Sequence, residues 1–310
     1  MYISEREVRE VLTYEALIPA IRRALMDYSA GLVIQPPRTI MRTGVEEDRR
    51  RDGWFGVMPA IHGDTMGVKT VTFYRRNAEL GIHTHMAMIE LLDRATGQPL
   101  ALMDGRLITE MRTAATTAAG FEAIAPLHFA RPARSLGILG SGVQAKAHIE
   151  ALRVVWPEMN EVRIWSPTTG HAQQLAEAAG GQSVSIEEAA AAEVVLTVTT
   201  AVDPVLKGRW LAPNAVILAV GATGDGAREL DDEVMRTSYL VAESRECVGR
   251  ESGDVRGSGA KIEAEIGEVF AQPEAASIPG TGRVVYKTVG MAIEDLAAAR
   301  LVWQARQSKP

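Results

Sequence analysis

Between Leu136 and Ala145 an apolar run breaks into Gly140-Ser141-Gly142 and then continues with helical character through Lys146 to Val154. The G-x-G-x-x-A spacing of Gly140, Gly142 and Ala145 is that of a dinucleotide-binding turn. Gly140 lets the chain turn sharply out of a buried strand, and Gly142 removes the side chain that would hold the backbone away from a pyrophosphate. Ala145 lets the new helix lie close to the sheet. The helix N-terminus offers unpaired N–H groups to phosphates, with Ser141, Gly142, Val143 and Gln144 as the expected contacts. From Ser135 onward strand and helix alternate, with strands expected at 135–140, 162–166, 194–199, 215–220, 239–243 and 284–286 and helices from 143 and 170. Ser185 and Glu188 have the spacing of a capping box opening a short helix. This alternation predicts an α/β fold with a parallel doubly wound sheet.

The nucleotide's identity is read at the end of the second strand, where an acidic side chain would receive the ribose 2′-OH. Here the segment Ser166-Pro167-Thr168-Thr169-Gly170-His171 carries none. A 2′-phosphate near Ser166 and Thr168 would meet hydroxyls and no repelling carboxylate, so NADP(H) is favoured over NAD(H). The preference is expected to be modest, because the turn lacks an arginine and Arg163 falls within the strand. Thr168 and Thr169 also suit the start of the helix running to Ala179.

With 310 residues, 46% of them hydrophobic, the chain can bury a large core and has the length of two domains. A formal charge of -6 argues against nucleic acid or an anionic membrane as the main partner. The one cysteine, Cys247, excludes an internal disulfide framework, so the cytoplasm is the simplest compartment. Met1 to Glu7 has no apolar targeting run, and no segment is apolar enough to span a membrane.

Before the glycine turn the pattern differs. Ser4 through Tyr28 reads as one helix, with Gly31 as its stop. Val68 to Tyr74, Met86 to Leu92 and Leu100 to Met103 read as strands, and the mixed-charge run Glu46 to Gly53 as a solvated hairpin loop. Ala292 to Gln304 reads as a helix that returns to pack on this N-terminal part.

Four islands in order along the chain resemble the ornithine cyclodeaminase/mu-crystallin family: Gly56-Val57-Met58-Pro59-Ala60 with Lys69, Leu102-Met103-Asp104-Gly105 through Arg112-Thr113-Ala114-Ala115, the turn at Gly140, and Gly290-Met291-Ala292-Ile293-Glu294-Asp295-Leu296. The resemblance implies a Rossmann dinucleotide-binding domain over residues 114–288, inserted in an α+β dimerisation and substrate domain of residues 1–113 plus 289–310. It further implies a homodimer and hydride transfer between a nicotinamide and the α-carbon of a small amino or imino acid. Arg38, Lys69 and Arg112 match the family's cationic grip on the substrate carboxylate, an arrangement in which a guanidinium can bind bidentately. Taken alone, Arg38 and Arg42 read equally as loop charges, Lys69 as a solvent-facing strand residue, and Arg112 as the partner of a nearby glutamate on a helix surface. Arg42 stands in reserve for Arg38 if the charged loop shifts the register. Thr84 falls where the family places a hydroxyl near the nicotinamide, and Gly221 in the turn of a late strand beside the cofactor. His83 and His85 would share one face of a strand, but without a cysteine or acidic neighbour no metal site is expected.

Two departures point to one branch of the family. Cyclodeaminating members carry an acidic residue after the Val-Gly turn of the late strand and another before the Met-Pro element; this chain has Thr223 and Gly56 there. Asp225 lies two residues beyond Thr223 and would compensate only in a rearranged loop. The resemblance is therefore nearest to the ketimine reductase branch, which reduces cyclic 2-imino acids, with Lys69, Arg112 and Thr223 as catalytic candidates. An ornithine cyclodeaminase or alanine dehydrogenase-type activity is the alternative, and a non-catalytic NADPH-dependent small-ligand binding protein is a third reading.

Overall fold

A computed structural model describes residues 1–45, 47, 52–224 and 226–307, so most of the charged run after Val45 lies outside it. The chain divides into two compact units, Met1–Thr113 with Gly290–Pro310, and Ala114–Val289.

The first unit is built on a six-stranded sheet of β1 (Tyr2–Ile3), β2 (Thr39–Arg42), β3 (Trp54–His62), β4 (Thr65–Phe73), β5 (His85–Asp93) and β6 (Pro99–Asp104). The order is β1-β6-β5-β4-β3-β2, antiparallel except for the β1/β6 pair. Because side chains alternate across a strand, Met58, Lys69, Ile89 and Met103, which are in register, share one face with Ala60, Leu91 and Ala101. That face is buried, and the C-terminal helix Ala292–Gln307 packs over β3, β4 and β5 and against the helix Tyr14–Ser29. Lys69 is 2% exposed, which corrects its reading as a solvent-facing residue.

Two sequence expectations are corrected in this unit. The single N-terminal helix is two, Glu5–Arg9 and Tyr14–Ser29, because Thr13 takes an extended conformation and caps the second. The strand β3 was not expected. Its alternation is interrupted by Gly56 and by Pro59, a residue usually read against a strand interior, yet it pairs along its whole length with β4.

The second unit carries β7 (Ser135–Leu139), β8 (Glu161–Trp165), β9 (Gln182–Ser183), β10 (Val194–Thr197), β11 (Val216–Ala219), β12 (Ser238–Ala242), β13 (Ala264–Glu265) and β14 (Arg283–Lys287). All pair in parallel, in the order β13-β12-β14-β11-β10-β7-β8-β9. The chain therefore builds outward from β7 to β9, then returns to add β10 and β11 on the other side. That reversal at β7 and β10 is the switch point of a Rossmann sheet, outside whose strand ends a dinucleotide lies. The expected strands are present, and the two-residue β9 and β13 are too short to show a period. Ser185 caps the helix Ile186–Ala190 in the anticipated capping box. Among the described residues no helix is long and apolar enough to cross a membrane.

Candidate functional site

In the first unit three chain segments bring Lys69, Arg112 and Asp295 together. Lys69 projects from the buried face of β4, Arg112 from the helix Arg106–His128, and Asp295 from the first turn of the C-terminal helix. Lys69 Nζ lies 2.6 Å from Asp295 Oδ2, and Arg112 Nε donates to Asp295 Oδ1 at 2.9 Å. Arg112 Nη1 donates to Glu294 Oε2 at 2.8 Å. Arg38, just before β2, donates through Nη2 to the Gly290 carbonyl, so Arg38 and not Arg42 is the loop arginine at this cluster. Arg42 instead donates to the Asp52 carbonyl. Gly290 has φ +80°, and a Cβ there would stand 2.6 Å from Arg112 Nη1, so the backbone must be bare for the guanidinium to pass. The helix start is further tied by the Ile293 N–H, which donates to Gln35 Oε1 at 2.8 Å.

The electrostatics follow from burial. Desolvation pulls the Lys69 ammonium down to about 8, with Asp295 opposing and Arg112 adding to the fall. Burial alone would raise the Asp295 carboxyl, but Arg112 and Lys69 outweigh it and hold it below the usual range. His85, at the start of β5, is pushed down to about 3 by burial and then by Lys69 and Arg112, so its imidazole is neutral near pH 7. Arg38, Lys69 and Arg112 against Glu294 and Asp295 leave a formal charge of one positive among five side chains, which suits a single carboxylate.

The histidine pair is not as the sequence suggested. His83 lies in the turn before β5, its carbonyl accepting from Asn77 Nδ2, so it does not share a strand face with His85. Thr84, between them, accepts from the Tyr74 N–H through its carbonyl at 2.8 Å. Among the described residues no group of three or more His, Cys, Asp or Glu is arranged to hold a metal ion.

In the second unit the glycine turn follows β7. Gly140 has φ +126°, and a Cβ there would stand 2.7 Å from the Val198 carbonyl, a position only glycine occupies without strain. Gly142 is the N-cap of the helix Val143–Val155, brings no capping side chain, and faces open space where a Cβ would be. Val143 is 59% exposed at that helix start, while Ala145 is fully buried against the sheet. Ser141 Oγ donates to Ser166 Oγ at 2.9 Å, which sets Ser166 at the turn, just past β8. Thr168 is the N-cap of the helix Thr169–Ala179, although its side chain makes no cap hydrogen bond. These residues fit a dinucleotide: a bare helix N-terminus, an open approach at Gly142 and hydroxyls at the ribose position.

Past β11, Gly221 accepts from Lys287 Nζ through its carbonyl at 2.6 Å, Ala222 takes the left-handed φ of +57°, and Thr223 bridges to Ser252. Asp225 lies outside the described residues. Gly56 stands in the middle of β3, and a Cβ there would meet Ile40 Cδ1 at 3.0 Å, Val71 Cγ1 at 3.1 Å and Trp54 Cζ3 at 3.2 Å. Sequence reasoning missed Glu294 and Asp295 as members of the cation cluster. Two acids in the first turn of a helix read as ordinary compensation of the helix dipole.

Three comparisons bear on the chain. The profile of the ornithine cyclodeaminase/mu-crystallin family matches residues 1–309. The ketimine reductase mu-crystallin of Mus musculus is 40% identical over 318 residues, covering 99% of this chain and 97% of its own. Among solved structures, the Thermococcus litoralis Δ1-pyrroline-2-carboxylate reductase in complex with NADH and L-proline superposes with a TM-score of 0.90 at 29% identity, covering 99% and 97% of the two chains. An archaeal alanine dehydrogenase dimer with bound NAD gives 0.88 at 26% identity, covering 100% and 96%.

The cluster makes a prediction of its own. Since Asp295 holds the Lys69 ammonium up against the pull of burial, Asp295→Asn should lower the Lys69 midpoint below about 8. NMR titration of lysine labelled at Nζ should show that shift, and an unchanged midpoint would mean that Asp295 does not set the charge of Lys69.

Proposed function

The chain belongs to the ornithine cyclodeaminase/mu-crystallin family, and from that premise we propose that it is an NAD(P)H-dependent ketimine reductase acting on a cyclic 2-imino acid. The substrate class is that of Δ1-pyrroline-2-carboxylate or Δ1-piperideine-2-carboxylate, reduced to the cyclic amino acid. The observation that carries this reading is the cluster of Lys69 and Arg112 on Asp295, with Arg38 on Gly290, a preorganised set of donors for one carboxylate. A nicotinamide held at the Gly140–Gly142 turn would supply a hydride for the imine carbon, with a proton going to the ring nitrogen. Arg38, Lys69 and Arg112 grip the carboxylate and so orient the C=N bond, and an electrophilic iminium held in near-attack geometry needs little further activation. Lys69, with its proton held only to about pH 8, is assigned to the ring nitrogen's surroundings, and Thr223 is a catalytic candidate on the family resemblance.

Two absences favour imine reduction over cyclodeamination. At Gly56 there is no side chain, and Ile40, Val71 and Trp54 crowd the place of a Cβ, while at Thr223 a hydroxyl stands in place of a carboxylate. Neither residue neutralises a primary ammonium. A cyclic iminium carries its nitrogen within the ring and demands no such partner.

Reduction of cyclic 2-imino acids should therefore be much faster than ornithine conversion or alanine oxidation. Lys69→Met and Arg112→Leu should each lower kcat/KM for the imine about ten- to hundredfold, the worth of a charge-assisted bond of roughly 1.5–3 kcal/mol, with cofactor affinity nearly unchanged. A panel of imines and amino acids assayed with reduced and oxidised cofactors decides it. Ammonia release from ornithine at a rate equal to imine reduction would sink the assignment, and NADPH binding with no imine turnover would make the chain a binding protein. Gain of ornithine turnover in Thr223→Asp would identify that position as the deciding one.

For the cofactor we infer a modest preference for NADPH over NADH, supported by Ser166, hydrogen-bonded to Ser141, where a ribose-binding carboxylate would stand. Ser166→Asp should reverse it through 2′-OH pairing and repulsion of the 2′-phosphate. Fluorescence titration of both reduced cofactors tests this, and tighter NADH binding by the native chain would refute it.

A homodimer is also proposed, through the face of the six-stranded sheet opposite the C-terminal helix. On that face Tyr2 pairs with Leu102, 57% and 42% exposed, and in a separate row Met86, 41% exposed, is in register with Thr72 and Phe55. Exposed apolar side chains on a sheet face are a place that a second copy can cover. The native chain should sediment at twice its mass and Leu102→Lys should shift it toward monomer; a monomeric native chain would reject this interface.

A further inference from the structure

Among the charged side chains that the second unit buries and that imine reduction as described does not use, Glu229, Asp254 and Lys287 are fully buried. Buried ions are costly unless paired and hydrogen-bonded, so their partners say what they are for. Lys287 Nζ donates to the Gly221 carbonyl at 2.6 Å and lies 3.3 Å from Asp254 Oδ2. Asp254 Oδ1 accepts from the backbone N–H groups of Glu229 at 2.8 Å and Leu230 at 2.9 Å. The Glu229 carboxyl accepts from the Thr199 N–H at 2.6 Å and the Thr197 hydroxyl at 2.8 Å. One connected network thus joins the ends of β10 at Thr197 and β14 at Lys287 with the turns that follow β10 and β11, at Thr199 and Gly221.

These are carboxyl ends of parallel strands, the edge at which a doubly wound sheet binds its ligand, and β10 and β11 belong to the half that takes the second nucleotide. The turn gripped by Lys287 also holds a residue in a strained conformation. Ala222 holds φ +57° while only 7% exposed, a conformation that a residue with a Cβ keeps only where its surroundings impose it. The Gly221 carbonyl immediately before it is held by the Lys287 ammonium, and Thr223 immediately after it is bridged to Ser252.

We propose that Lys287, backed by Asp254, is a positioning residue for the reduction: by holding the Gly221 carbonyl it fixes the Ala222–Thr223 turn at the edge where the nicotinamide half of the cofactor binds. This rests on the ketimine reductase reading. Without the Lys287 donor the turn relaxes, so the loss falls on kcat while the carboxylate grip of Lys69 and Arg112, and with it the imine KM, is kept.

The test separates holding the carbonyl from merely neutralising Asp254. On an Asp254→Asn background, which removes the charge but keeps an oxygen for the Glu229 and Leu230 N–H groups, Lys287→Met and Lys287→Gln are compared. Methionine has no donor for Gly221, whereas the glutamine amide does. The methionine variant should have a kcat at least tenfold below the glutamine variant, at matching melting temperature and with imine KM within about threefold. Emission of bound NADPH, which senses the ring's surroundings without any turnover, should be altered by methionine and restored by glutamine. Equal kcat and equal emission in the two variants would overturn the proposal. If the methionine variant does not fold, the glutamine variant decides: kcat within about threefold of its background supports the role, and a folded protein with less than a tenth of that kcat overturns it. The emission pattern appearing in a chain that reduces no cyclic imine would reject the ketimine reading and leave the positioning role standing.

Discussion

The first unit depends on one buried carboxylate. Lys69 and Arg112 are 2% and 5% exposed, on the same side of the sheet as Met58 and Ile89, where uncompensated cations would be untenable. Asp295 accepts from both, and Glu294 takes the second arm of Arg112. Removing one partner of such a buried pair typically costs about 3–5 kcal/mol, because the other charge is left without its counter-ion. The C-terminal helix therefore cannot be an ornament on this sheet: its first turn supplies the charges that allow the cations to be inside at all. The same turn supplies the Gly290 carbonyl for Arg38 and, by lacking a Cβ at Gly290, the passage for Arg112. Chain order and chemistry are thus coupled, with residues 183 positions apart meeting at one carboxylate.

How much of this could be read in advance depended on whether the signal was local. The glycine turn was legible because its requirements lie within six residues, and the structure returns a positive φ at Gly140 and a bare helix start at Gly142. The parallel strands were legible as apolar runs, since strands buried on both faces need no alternation. The break at Thr13 was hidden because apolar residues on both sides keep nearly helical spacing across it. The strand β3 was hidden by Gly56 and Pro59, which local rules assign to turns, although its neighbours β2 and β4 supply the pairing.

Charged residues were the least legible. Glu294 and Asp295 look, from their position, like acids placed to complement a helix N-terminus, and the expected strand at 284–286 stops one residue short of Lys287. Each is fully or almost fully buried because its partners come from distant segments, and no spacing along the chain encodes that. The family resemblance located Lys69 and Arg112 without saying why they could be buried. The geometry supplies the reason in the carboxylates opposite them.

The cluster also bears on which nitrogen chemistry the chain can support. On the proposed reading, five side chains with a formal sum of one positive charge would be balanced by an incoming carboxylate, and any further charge on the substrate would have to be met elsewhere. An open-chain ammonium would need a carboxylate of its own near the α-carbon. At Gly56 a side chain would crowd the ends of Ile40, Val71 and Trp54, which would have to give by a few tenths of an ångström. On the proposed ketimine reductase reading, the lack of a carboxylate at Gly56 in β3 counts for imine over open-chain diamine beside its lack at Thr223.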